Sequence, residues 1–121
     1  MPVFLDRVRE TSLSSGSSNI TLAGAVTGFQ SFNTAFGTSA FFAYGIETID
    51  SSGVPTGDWE IGVGYLSGTT TLVRNQVTAS SNGGSAVVLS TANKNVFCTF
   101  NGGAGTEVTC NDTFDYMYGT P

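Results

Sequence analysis

The chain has 121 residues, of which 11 % are charged, and a formal net charge of −5. That length makes one domain, burying roughly two-thirds of its unfolded surface. The four cations, Arg7, Arg9, Arg74 and Lys94, cannot build the basic footprint that phosphate binding requires, which argues against a nucleic-acid partner.

The charged fraction is less than half the ~25 % of an ordinary globular domain. Gly, Ser and Thr supply much of the polar character instead. A lone soluble domain keeps charge on its outside, so this composition points to a surface covered by neighbouring subunits. No apolar run approaches the ~20 residues of a membrane span. The start MPVFLDRVRE is not a secretory signal, lacking a charged region followed by an apolar one. Synthesis and folding in a cytosol are expected, and a reducing cytosol favours free thiols at Cys98 and Cys110 over a bridge between them.

In chain order, Val3, Phe4, Leu5 and Val8 interleave with Asp6, Arg7, Arg9 and Glu10. This segment reads either as an arm laid across a partner or as an edge strand of the domain's own sheet. The Ser-rich stretch from Thr11 to Asn19 reads as a linker. Ile20-Thr21-Leu22 is a short strand, Gly24 to Gly28 a turn region, and Phe29 and Phe32 enter a further strand or loop edge. Phe41 to Ile46, apolar on both faces, is placed as a central strand. Asp50 to Gly57 is a loop punctuated by Pro and Gly.

The strongest signal runs from Asp58 to Phe100. Trp59, Ile61, Val63 and Tyr65 alternate with Glu60, Gly62 and Gly64, the pattern of a half-buried strand. A turn at Ser67-Gly68, a Thr-rich strand to Arg74 and the Ser80 to Gly84 corner follow, and Val96, Cys98 and Phe100 close the block with Cys98 facing inward. Glycines repeated on one strand face, Gly62 and Gly64, imply either a close approach by another backbone or side chain, or a bend in a twisted sheet. The C-terminal segment carries Phe114, Tyr116 and Tyr118 in alternation. Seven to nine short strands predict an all-β domain, a single β-sandwich or jelly-roll-like unit of antiparallel strands. Residues 1–19 form its arm and linker, 20–101 its core and 102–121 a Gly-hinged extension.

The search for chemistry yields no catalytic, cofactor-binding or metal site. Histidine is absent, removing the commonest general base. Asp58 and Glu60 share a strand face opposite Trp59, a pairing that could serve a glycan site but more often marks a solvated face. Asn111, Asp112 and Asp115 have no calcium-loop spacing. Gly83-Gly84 and Gly102-Gly103 precede no phosphate-binding helix.

The composite of DRVRET (Asp6 to Thr11), ITLAGAVTGFQSF (Ile20 to Phe32), WEIGVGYLSGTTTLVR (Trp59 to Arg74), VTASSNGG (Val77 to Gly84) and KNVFCTF (Lys94 to Phe100) resembles a structural module of tailed-bacteriophage virion proteins. It covers about the first hundred residues; the loop from Glu47 to Gly57 is longer than is usual there. The resemblance implies a non-enzymatic virion role in a protein made in the bacterial host. The near-stand-alone length favours a cement or decoration protein on the capsid exterior, bound to the major capsid protein or other virion proteins, with a homotrimer favoured. A tail, neck or fibre adaptor is the alternative. On this reading Val3, Phe4, Leu5, Arg7, Arg9, Gly62, Gly64, Phe114, Tyr116 and Tyr118 are the candidate interface residues.

Overall fold

A computed structural model describes residues 5–99. The elements are β1 (Arg9–Ser12), β2 (Ile20–Thr21), α1 (Phe32–Phe36), β3 (Phe42–Ile49), β4 (Pro55–Leu66), β5 (Thr71–Ser80) and β6 (Lys94–Cys98). The strands form one antiparallel sheet in the order β1-β6-β3-β4-β5-β2. The domain is all-β, as its strand and turn signals predict.

The sheet is nearly closed on itself by residues 20–26. On one side β2 pairs with β5 through Ile20 and Leu72, and the Leu22 N–H donates to the Thr70 carbonyl at 2.7 Å. On the other side the Ala23 and Val26 N–H groups donate to the carbonyls of Thr11 and Arg9 at 2.8 and 3.0 Å. One short segment thus links both ends of the sheet, leaving little unpaired edge. β1 belongs to the domain's own sheet, with Val8 and Glu10 buried. Val3 and Phe4 lie outside the described residues.

Phe32 opens a single helical turn rather than a strand. Ser31, extended at φ −78° and ψ 160°, caps it by accepting the Thr34 N–H, and Gly37 ends it at φ 69°. The cap residue ahead and the glycine behind define a helix too short for periodicity to announce. Its Phe32 and Phe36 rings pack on Phe42 of β3, with centroids 4.9 and 4.6 Å away. The interior is completed by Ile20, Leu22, Tyr44, Ile46, Leu66, Leu72, Val87, Leu89 and Val96. Cys98 packs against this core, as its alternation predicts, and burial pushes its thiol pKa up. Cys110, and with it the question of a bridge, lies outside the described residues.

The β3–β4 connection is the Asp50–Val54 turn. The Asp50 carboxylate accepts the N–H groups of Ser52 and Val54, and Gly53 supplies a φ of 84°. Pro55 opens β4, the strand position at which a missing N–H costs least.

Candidate functional site

The alternation along β4 is real, but its sense is the reverse of the usual one. Glu60, Gly62, Gly64 and Leu66 face the interior, whereas Ile61, Val63 and Tyr65 are half-buried on the outside and Trp59 is 42 % exposed. Two glycines in register explain the inversion. Tyr44 of β3 lies directly opposite Gly62, and a Cβ on Gly62 would stand 3.0 Å from its hydroxyl. A Cβ on either glycine would also collide with the β5 backbone, at Gln76 or Val73. The close approach signalled by these glycines is therefore made within the chain, by the Tyr44 ring and β5, rather than by a partner.

The Tyr44 hydroxyl ends on Glu60, donating to Oε2 at 2.6 Å. The Glu60 carboxylate also takes a bidentate fork from Arg74, through Nε at 2.9 Å and through Nη2, and accepts the Val87 N–H at 2.9 Å. Arg74 then reaches the carbonyls of Gly16, Ser18 and Val87 at 3.1, 3.2 and 2.7 Å. A register shift in the β4–β5 pairing between Val63 and Tyr65 places an extra residue beside Arg74, and such bulges re-aim a side chain. Both charged side chains are almost completely enclosed.

Burial alone would raise the Glu60 pKa, but the hydrogen bonds from Arg74, Tyr44 and Val87 outweigh it and hold the carboxyl below the usual range. The Tyr44 phenol is driven the other way, by burial first and by Glu60 second. With its oxygens occupied by Arg74, Tyr44 and Val87, Glu60 shares no open side with exposed Asp58, so the two do not form a paired-carboxylate site. The network clamps β3, β4, β5 and two loops together.

Glu10 is a second enclosed acid that sequence reasoning did not single out. Its oxygens accept the N–H groups of Gly24 and Phe32 at 3.0 and 2.8 Å, which ties β1 to the closing segment and to α1. Lys94 is wholly buried, donating to the Ala92 carbonyl, and desolvation lowers its pKa. No group of three or more potential metal ligands occurs among the described residues.

With these polar groups inside, the outward face of the sheet is largely apolar. Residues directly opposite in adjacent strands share a face, so the register defines its rows. One row runs Arg9, Phe97, Gly45, Ile61, Ala79 across five strands. The next holds Ala43, Val63 and Gln76, and beyond it Phe41 meets Tyr65 with ring centroids 5.2 Å apart. Phe97 lies over Gly45, where a Cβ would fall 2.6 Å from its ring. The row on the other side, Thr11, Asn95, Glu47 and Trp59, is the polar margin, with Asn95 donating to Glu47 at 3.1 Å.

Arg7 and Arg9 stand at the β1 margin of this face. Their guanidinium carbons lie 4.0 and 5.4 Å from the centroid of the Phe29 ring. Arg7 also donates to the Gly28 carbonyl at 2.9 Å. The Nε of Arg9 is buried with no hydrogen-bond partner among the described residues. Leu5 is exposed, and Phe114, Tyr116 and Tyr118 lie outside the described residues. Of the candidate interface residues, Arg9 thus borders the apolar face, whereas Gly62 and Gly64 turn away from it. The outward Trp59, Ile61, Val63 and Tyr65 were visible in the sequence as an alternation; only the side they face was not. No family model, curated protein or solved structure matches this chain.

Proposed function

We propose that this chain is a non-enzymatic structural protein of a tailed-phage virion, a cement or decoration protein on the capsid exterior that docks on other protein through its outward sheet face. The observation that carries this reading is the inversion of β4. The chemically capable side chains, Glu60, Arg74 and Tyr44, are spent on one another inside, while Trp59, Ile61, Val63 and Tyr65 are presented outside. Apolar residues grouped on one face, bordered by polar groups, are the usual anatomy of a protein interface. Two of the four cations are buried, so the surface has little to offer a nucleic acid and suits the outside of a DNA-filled shell. The resemblance of the segments from DRVRET to KNVFCTF to virion modules supplies the setting, with major capsid protein as partner.

Immunogold labelling of intact particles tests it. Label scattered over the head supports the cement role; a cluster at one vertex assigns the tail, neck or fibre adaptor role instead. Particles without the protein overturn both. A glycan array with a Glu60→Gln variant addresses the remaining carbohydrate reading, for which no binding and no hydrolysis is expected.

A further inference from the structure

We propose that the Asn82-Gly83 peptide is a self-modification site, at which Asn82 converts to aspartate and isoaspartate at a rate set by how often the corner from Ser80 to Ala86 opens. The reaction needs no partner protein, so this inference stands apart from the virion role.

The chemistry lies in two adjacent residues. The Gly83 backbone nitrogen, once its proton passes to solvent base, attacks the Asn82 Cγ. A succinimide ring closes as that C–N bond forms and the carboxamide nitrogen leaves as ammonia. Water then opens either ring carbonyl, giving aspartate, or isoaspartate with the chain rerouted through the side chain. Nothing is oxidised or reduced: a water is taken up and an ammonia is given off. A Cβ on the attacking residue would crowd this approach, and glycine has none. At Gly83, with φ 64°, the place of a Cβ has no other atom within 4 Å.

The folded corner leaves the nucleophile free and holds the electrophile. Residues 81–85 are all exposed. The Asn82 and Gly84 N–H groups donate to the Ser80 Oγ at 3.1 and 3.2 Å, and the Ser85 N–H donates to the Asn82 carbonyl at 3.1 Å. The Gly83 N–H has no acceptor among the described residues. The Asn82 carboxamide, by contrast, donates through Nδ2 to the Ala86 carbonyl at 3.0 Å. Ring closure takes that nitrogen out of its bond, so the reaction runs through the locally opened corner. The product does not restore the corner, because a carboxylate has no N–H to offer Ala86. The next residue, Val87, holds Glu60 through its N–H and Arg74 through its carbonyl, so conversion loosens a loop that bears on the clamp.

Incubation of the full chain in mildly alkaline buffer, followed by peptide mapping with mass detection, is the test. Cleavage after Arg74 and Lys94 puts Asn82 on a different fragment from the chain's other Asn-Gly pair, Asn101-Gly102. The Asn82 fragment is expected to divide into two acidic products of equal mass, more slowly than a synthetic 75–94 peptide under the same conditions. Ser80→Ala removes three of the corner's hydrogen bonds and should raise the rate in the folded protein about tenfold. If Asn82 stays intact in both proteins while the peptide converts fully, the site is overturned. Equal rates in wild type and Ser80→Ala overturn the control by the corner.

Discussion

At Gly62 a single hydrogen atom separates a working interior from a clash. An alanine there would drive its methyl onto the Gln76 carbonyl and to 3.0 Å from the Tyr44 hydroxyl. Gly62→Ala should therefore cost about 1–3 kcal/mol, the range of overpacking in a tight core. Gly68→Ala, where nothing stands within 4 Å, is the matched control and should change the urea midpoint little. Equal midpoints for the two variants would refute this account of the inverted strand.

Glu60 carries a pH signature. Its folded pKa lies below the ordinary carboxyl value of 4.5, so its contribution to stability is fully present above that pH and is lost as pH falls through the folded value. Glu60→Gln leaves the enclosed Arg74 guanidinium without its counter-charge and should cost about 3–5 kcal/mol at neutral pH. The gap between wild type and variant should narrow as pH falls from 4.5 through the lower folded value, where the wild type also loses its carboxylate. Thermal melts of both proteins from pH 7 downward would show it, and a gap independent of pH would assign the loss to packing alone. Lys94 behaves differently because burial opposes its charge and, among the described residues, the Ala92 carbonyl is its one acceptor. Lys94→Met should leave the melting temperature unchanged or raise it, as apolar replacements of buried charge often do.

The strands depend on long-range ties more than on their own length. β2 is two residues long, and the loops at Gly16 and Val87 bear on Arg74 rather than on a strand of their own. Arg74→Met should release them. The reciprocal bonds between Gly16 and Leu89, at 2.9 and 3.0 Å, should lose hydrogen-exchange protection by more than tenfold, while amides in the β3–β4 ladder lose less. Uniform loss across the sheet would instead make Arg74 part of the global fold. β1 is equally committed: Glu10 holds both Gly24 and Phe32. Removal of residues 1–10 should therefore lower the melting temperature, so a loss of particle binding in that truncation would not by itself identify an arm. A shorter truncation ending at Leu5 keeps Val8, Arg9 and Glu10 in the chain and gives up the Leu5 backbone hydrogen bond to Cys98.

For the molecule as a whole, the division between inside and outside sets the functional reading. A small barrel-like sheet has room for few interior side chains, and here several of those places go to a polar clamp and to glycines that make way for Tyr44. The apolar residues of β4 are displaced outward as a result, and on the proposed reading a partner takes them out of water. If the virion role proposed above holds, Trp59→Ser should lower occupancy on particles several-fold while altering the melting temperature little, because Trp59 lies on the exposed face. A destabilised Trp59→Ser protein would mean that the residue serves the fold.

Periodicity, turn chemistry and composition were enough to establish an all-β chain, the β3, β4 and β6 strands and the inward Cys98. Those signals are local: they depend on alternation over a few residues and on Gly, Pro and Ser at corners. The side of β4 that faces inward was not local information, because the period of two is satisfied by either face. It was decided by Tyr44, sixteen residues before Glu60, and by Arg74, fourteen after it, whose packing and pairing fill the interior opposite two glycines. Closure through residues 20–26 and the enclosure of Glu10, which also ties down the start of α1 at Phe32, likewise rest on hydrogen bonds between distant segments, and those exist only once the chain has folded.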